Sequence, residues 1–263
     1  MKHSMVFTLF YISAPLLLVA RVLQQFYMLD PETGFYLDSL GSVGKVVSVM
    51  CFVLVAALYI LVWLSQPRIK AAPKRGKALA IGSFAAAMCL LISSAQLVVT
   101  ATGAKDVFVA IFAFPSALCF AWYGASLITN IKYPAGMSIV PIIYGVVRLI
   151  ATFMNYTGEV TVTDSLFDIA TMCFLLLFLY SSGKIICGLK TPRSPVMFYA
   201  SGLSAAFFCI DECLAKTIAA VTGNVDALHS VGAFNVTYIG FAIYIILMIH
   251  TVSAQSVGRT RNA

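Results

Sequence analysis

The chain has 263 residues, of which 61% are hydrophobic and only 10% charged, and its mean hydropathy is +0.95. Soluble domains carry roughly a quarter charged residues, so this composition excludes a soluble globular protein and indicates a polytopic membrane protein. The net charge of +7 does not imply nucleic acid, because the basic residues fall in short loops between apolar spans, where membrane orientation accounts for them.

Hydropathy yields eight spans of about 20 residues, the length that a bilayer core demands. They cover residues 5–28, 41–65, 78–102, 107–129, 136–155, 164–183, 195–222 and 231–254. The expected fold is therefore all-α, with eight transmembrane helices and connecting loops too short to fold as soluble domains. Met1-Lys2-His3 followed by an apolar run has the outline of a signal peptide. The run continues through Arg21 to Met28 without a small-residue cleavage site, so it reads as the first helix.

Span one carries Arg21, with Gln24 and Gln25 extending its polar face by one turn. The loop Leu29 to Tyr36 combines Pro31 and Gly34 with two acids and two aromatics; it reads as a tight turn with interfacial anchors, the alternative being a lid over an external site. Span two holds Lys45 about a turn inside its outer end. After it come Arg68, Lys70, Lys74, Arg75 and Lys77. In span four, Pro115 releases a backbone carbonyl and is expected to kink the helix. Span five places Tyr144 one turn from Arg148, and span six carries Asp168 near its outer end. Lys45 and Asp168 read as snorkelling or capping groups, whereas Arg21 and Arg148, about 10 Å from the outer ends, fit snorkelling and an interior role equally well.

Span seven is the most informative. Its second half contains Asp211, Glu212 and Lys216, and charges at that depth cost a few kcal/mol each unless they face protein, water or one another. Glu212 and Lys216 are spaced for a helical ion pair. Asp211 points about 100° away, so its partner is expected from another helix. Span eight has only His250, near its inner end.

Loops after spans two, four, six and eight hold basic residues and no acids; the opposite set holds Asp30, Glu32, Asp38, Asp106, Glu159 and Asp226 with Lys105 as its one base. The positive-inside rule then places both termini in the cytoplasm of a cell that carries this protein in its plasma membrane.

The two halves share ordered matches. Val19-Ala-Arg21 recurs as Val146-Val-Arg148, Met50-Cys-Phe52 as Met172-Cys-Phe174, and Gly82, Ala85, Ala86 and Cys89 as Gly202, Ala205, Ala206 and Cys209. Four helices per unit predict two parallel four-helix repeats, residues 1–130 and 131–263, related by an axis along the membrane normal, as in some transporters. Gly82-xxx-Ala86 and Gly202-xxx-Ala206 are small-residue pairs suited to helix crossings near that axis.

Seven cysteines lie within or near apolar spans; Cys209 and Cys213 share a helix face but lack further ligands, so they read as small buried hydrophobes and no metal is expected. Nucleotide, zinc-protease and serine-hydrolase motifs are missing, and no cofactor is implied. The run Glu212-Cys-Leu-Ala-Lys216 resembles, over five residues, the retinal-lysine helix of microbial rhodopsins. Eight spans and the repeat set this chain apart from that family.

Asp211, Glu212, Lys216, Arg21, Arg148, Gln24, Gln25 and Tyr144 are therefore the expected lining of a polar cavity in the outer half of the membrane. The function expected is a small carrier or permease for a small polar or zwitterionic solute, embedded in the lipid bilayer alone, as a homo-oligomer or with a partner membrane subunit. The alternatives are a non-catalytic sensor or accessory subunit binding an external ligand or lipid, and an intramembrane lipid-modifying enzyme using Asp211 or Glu212 as general acid or base. The topology is checked by cysteine scanning in intact cells: substitutions at Glu32, Lys105, Glu159 and Asp226 should react with an impermeant maleimide, and those at Lys74 and Arg193 should not.

Overall fold

The computed structural model describes residues 2–28, 37, 41–65, 67, 76–101, 103–129, 131–158, 162–189, 193–221 and 233–258, and the side chains of some of these, including Gln25 and Lys216, lie outside the description. Eight helices account for nearly all of it: α1 (Lys2–Tyr27), α2 (Gly41–Ser65), α3 (Lys77–Thr100), α4 (Ala104–Ile128), α5 (Ile139–Gly158), α6 (Val162–Ile186), α7 (Ser194–Val221) and α8 (Ala233–Gly258). All eight are long and apolar enough to cross a membrane, and among the described residues there is no strand. That is the architecture of an integral membrane protein in which every backbone polar group is satisfied within its own helix.

Local sequence explains the helix ends. Gly76 and Gly103 precede α3 and α4 in extended backbone. At the end of α6, Gly188 adopts φ 72, its N–H donating to the Ile185 carbonyl at 3.1 Å while the Leu189 N–H donates to Lys184 at 2.9 Å. This is the Schellman termination, and the left-handed backbone is why glycine stands there. Pro115 lies inside α4, which nevertheless runs unbroken through it. Pro141 falls in the first turn of α5, where its missing N–H has no intrahelical partner to lose.

From α3 onwards each helix packs on the next, and α8 returns to α3, giving a closed ring of six. The pair α1 and α2 leans on the outside of that ring, chiefly against α7. Small residues set the closest crossings. A Cβ at Gly240 of α8 would lie 2.7 Å from the Cys89 Cβ of α3, and one at Gly202 of α7 would lie 2.8 Å from Ile249 of α8 and 2.9 Å from Phe178 of α6. Gly82 of α3 likewise faces Tyr244 and Leu247 of α8. Both small-residue pairs read from the sequence thus sit at crossings with α8.

The ordered sequence matches between residues 1–130 and 131–263 are not accompanied by repeated packing. Exchanging the halves would turn the α3–α8 contact into α7–α4, and the α6–α7 contact into α2–α3. Neither is a main helix contact of the described residues. The reason is that α1 and α2 stand outside the ring whereas their counterparts α5 and α6 belong to it.

Close packing at α8 predicts that Gly240→Leu and Gly202→Leu each destabilise the detergent-solubilised protein by about 1–3 kcal/mol or more, because the Cys89 Cβ and Ala85 carbonyl at Gly240 cannot yield and the Phe178 ring and Ile249 at Gly202 are themselves buried. Gly136→Ala, where an added Cβ meets nothing within 4 Å, should leave the thermal melt unchanged.

Candidate functional site

Arg21, on the last third of α1, is wholly buried, with a relative exposure of 0%. Its guanidinium faces α7: Nη2 lies 3.3 Å from Glu212 Oε1 and Nε lies 3.7 Å from Asp211 Oδ2. Both carboxylates are 1% exposed. The third Arg21 contact is short. Nη1 donates to Gln24 Oε1 at 2.6 Å, and Gln24 Nε2 donates in turn to the Gly44 carbonyl at 2.7 Å and Ser48 Oγ at 3.0 Å on α2. Phe167 of α6 closes the remaining side, its ring centroid 4.1 Å from the Arg21 guanidinium carbon.

A helix-spacing argument explains the geometry. Arg21 and Gln24 are three residues apart and share a face, so the glutamine oxygen accepts a hydrogen bond from the guanidinium while its amide donates to the neighbouring helix. Asp211 and Glu212 are adjacent and diverge by about 100°, so they meet the guanidinium at two different nitrogens, Nε and Nη2.

Next to Phe167 stands Asp168, half-buried, whose carboxylate accepts a hydrogen bond from the Tyr238 hydroxyl of α8. Tyr144 and Arg148 on α5 are buried within electrostatic range of this group. Cys209 of α7 lies within range of both Asp168 and Glu212. The polar belt therefore runs from α2 and α1 through α7 and α6 to α5 and α8 at a single depth. Among the described side chains it sets three carboxylates against two guanidinium groups.

Of the expected site residues, Arg21, Gln24, Asp211 and Glu212 come together directly, and Tyr144 and Arg148 form the neighbouring cluster. Gln25 and Lys216 lie outside the described side chains. The structure bears on four of the readings. Of the two roles open to Arg21 and Arg148, burial among the helices fits the interior one. Asp168 is no mere cap, since the Tyr238 hydroxyl of α8 donates to it. Glu212 reaches across to Arg21, while its expected in-helix partner Lys216 lies outside the described side chains. Where an open cavity was expected at the acids, the charged groups of the described residues pack directly on one another, and a cavity lies towards the opposite end of α4, α5, α6 and α8. Lys45 is exposed, as snorkelling requires.

Sequence reasoning missed Ser48, Phe167 and Tyr238. Tyr238 lies five residues into its helix, at the depth of Asp168, and that depth match was the available signal; Phe167 gave none beyond its place beside Asp168. All seven cysteines are free, and no group of three metal-ligating side chains occurs among the described residues.

Removing one partner of a buried ion pair strands the other, at a cost of about 3–5 kcal/mol. Arg21→Met should therefore lower the melting temperature by about 10 °C, whereas Lys45→Met, at an exposed site, should shift it by no more than a degree or two. Combining Arg21→Met with Asp211→Asn and Glu212→Gln should recover most of the loss.

No protein-family model matches the chain, and neither a curated protein nor a solved structure does, so any functional reading rests on the geometry of this belt.

Proposed function

We propose that the protein is a small carrier for a small polar or zwitterionic solute, which binds in the outer half of the membrane by exchanging with the Arg21–Asp211–Glu212 contacts. The observation that carries this reading is the seam. The charges lie where the α1–α2 pair meets the six-helix ring, and each sign comes from a different body. A zwitterion offers a carboxylate to Arg21 and an amine to Asp211, so it replaces the internal pair without leaving a buried charge alone. Carriers work by moving one helix body against another around such a site. Arg148, Tyr144 and Asp168 extend the polar surface available to the solute into the ring.

In this reading both termini are cytoplasmic, the belt faces the outside, and the membrane is the plasma membrane. The segregation of acidic from basic loops supports that orientation. A second reading, a sensor or accessory subunit binding an external ligand or lipid, is favoured by the direct packing of the charged groups.

Uptake by purified protein in liposomes separates the two, using a panel of labelled L-amino acids and glycine betaine. A carrier accumulates at least one zwitterion; Asp211→Asn should abolish that uptake with the protein still folded and inserted, whereas Glu212→Gln, removing the nearer Arg21 partner, should mainly lower thermal stability. Uptake by none of the panel would sink the zwitterion reading, and full uptake by Asp211→Asn would sink the site.

A further inference from the structure

Away from the charged belt, the basic-loop ends of α4, α5, α6 and α8 enclose a cavity of about 20 Å³. Cys119, Tyr123, Tyr133, Ser138, Ser182 and Gly183 are among its lining residues. The volume exceeds the roughly 10–15 Å³ that one water needs. Its walls carry hydroxyls from four separate stretches of chain. Tyr123 is 5% exposed, and its hydroxyl has no hydrogen-bond partner among the described residues. A buried phenol left so costs about 1–3 kcal/mol, and a polar molecule in the cavity it lines removes that cost.

The neighbouring groups fit the same occupant. Tyr133 and Ser138 both line the cavity, and burial pushes the Tyr133 phenol up, so it stays neutral and able to donate. Ser182 donates to the Leu179 carbonyl at 3.0 Å, which leaves its oxygen free to accept.

Position gives the cavity its meaning. It shares α5, α6 and α8 with the Arg148–Asp168–Tyr238 cluster, and Ser182 lies on α6 about 21 Å along the axis from Asp168. Between the two, aromatic rings fill the ring's middle. Tyr244 of α8 meets Phe120 of α4 at 5.0 Å and Phe178 of α6 at 6.2 Å between centroids, and Phe120 meets Phe241 at 5.7 Å. Polar groups at both ends with a dry aromatic layer between them is the arrangement of two half-sites separated by a closed gate.

We propose that this cavity is a water-holding vestibule, the inner mouth of the solute route, closed from the outer belt by the Phe120–Tyr244–Phe178 layer. The assignment of a route rests on the carrier reading; the vestibule itself does not. Its occupant is water or a water-sized polar group such as a hydroxyl or ammonium head. Gly183 keeps it open, because a Cβ there would meet the Ser138 Cβ at 3.5 Å and any longer side chain would project into the space.

Native Cys119 provides the test. In a variant with the other six cysteines replaced by serine or alanine, Cys119 should react with Ag+, a thiol-seeking ion of about the size of a water molecule, added on the basic-loop side of oriented vesicles. It should not react from the other side. Gly183→Leu, which fills the cavity, should slow that reaction at least tenfold, while Gly136→Leu, outside the cavity lining, should not. No reaction from the basic-loop side, with full reaction after denaturation, would overturn the vestibule. So would a rate unchanged by Gly183→Leu in a variant that melts normally. If Cys119 reacts as expected but liposomes take up no solute, the carrier reading falls and the vestibule stands. Arg21-dependent uptake with an unreactive Cys119 does the reverse.

Discussion

The structure depends on how Arg21 is kept ionised inside hydrocarbon. A guanidinium cannot shed its proton at any ordinary pH, so unlike a buried lysine or carboxyl it has no neutral form to retreat to. Burying it requires opposite charge and acceptors on every open side. Asp211 and Glu212 supply the charge, Gln24 the acceptor, and Phe167 the polarisable face. Because these come from α1, α6 and α7, and Gln24 carries the network on to α2, solvating one side chain fixes the relative height of four helices. Apolar packing alone is permissive about such sliding, since lipid tails are as apolar as the helix faces.

Elsewhere, other devices hold the helices together. Around α8 the register is set by missing side chains: Gly82, Gly202 and Gly240 admit close contacts with backbone or side-chain atoms that a methyl group would crowd. Through the middle, Phe120, Phe178, Phe241 and Tyr244 interlock edge to face and exclude water. The α1–α2 pair is held by fewer such contacts: Phe7 meets Tyr199 of α7 at 6.3 Å, and Phe52 meets Phe167 of α6 at 5.3 Å and Phe208 of α7 at 5.5 Å. Over its span, only 22% of α2 is buried, and outward-facing residues such as Val46, Val53, Ile60 and Trp63 belong to the lipid. The polar network joins this pair to the ring beside those aromatic contacts, which makes the charged site also part of the joint between two bodies.

Much of this was legible in the sequence because membranes impose simple rules. Hydropathy located eight spans, and an arginine or an Asp-Glu pair inside one could only face inward. What sequence could not give is which helices meet. Arg21 and Glu212 are 191 positions apart, and no local spacing rule connects them. The rules that do act locally pointed to Lys216 for Glu212 and to snorkelling or capping for Asp168, and left Arg21 divided between headgroups and the interior. Each assumed the helix stood alone in lipid. The same assumption lay behind the expected open cavity: isolated charges need water, whereas charges from different helices at one depth can pack on each other. The ordered matches between halves are likewise real features of the sequence, yet they carry no instruction about which helix closes the ring.

Energetics bear on why such a cluster exists at all. Replacing a buried ion pair with apolar groups of similar volume is often neutral or stabilising, so holding helices together is by itself a weak reason to keep one. Breaking such a pair costs about 3–5 kcal/mol. Binding a solute at millimolar to micromolar affinity yields about 4–8 kcal/mol. The two quantities are of one size, so in the carrier proposed above a solute bringing both charges would displace the internal contacts and release again, and the joint between α1–α2 and the ring would loosen only while the solute occupied it. A stronger internal pair would exclude the solute, and a weaker one would leave Arg21 unsolvated when the site is empty.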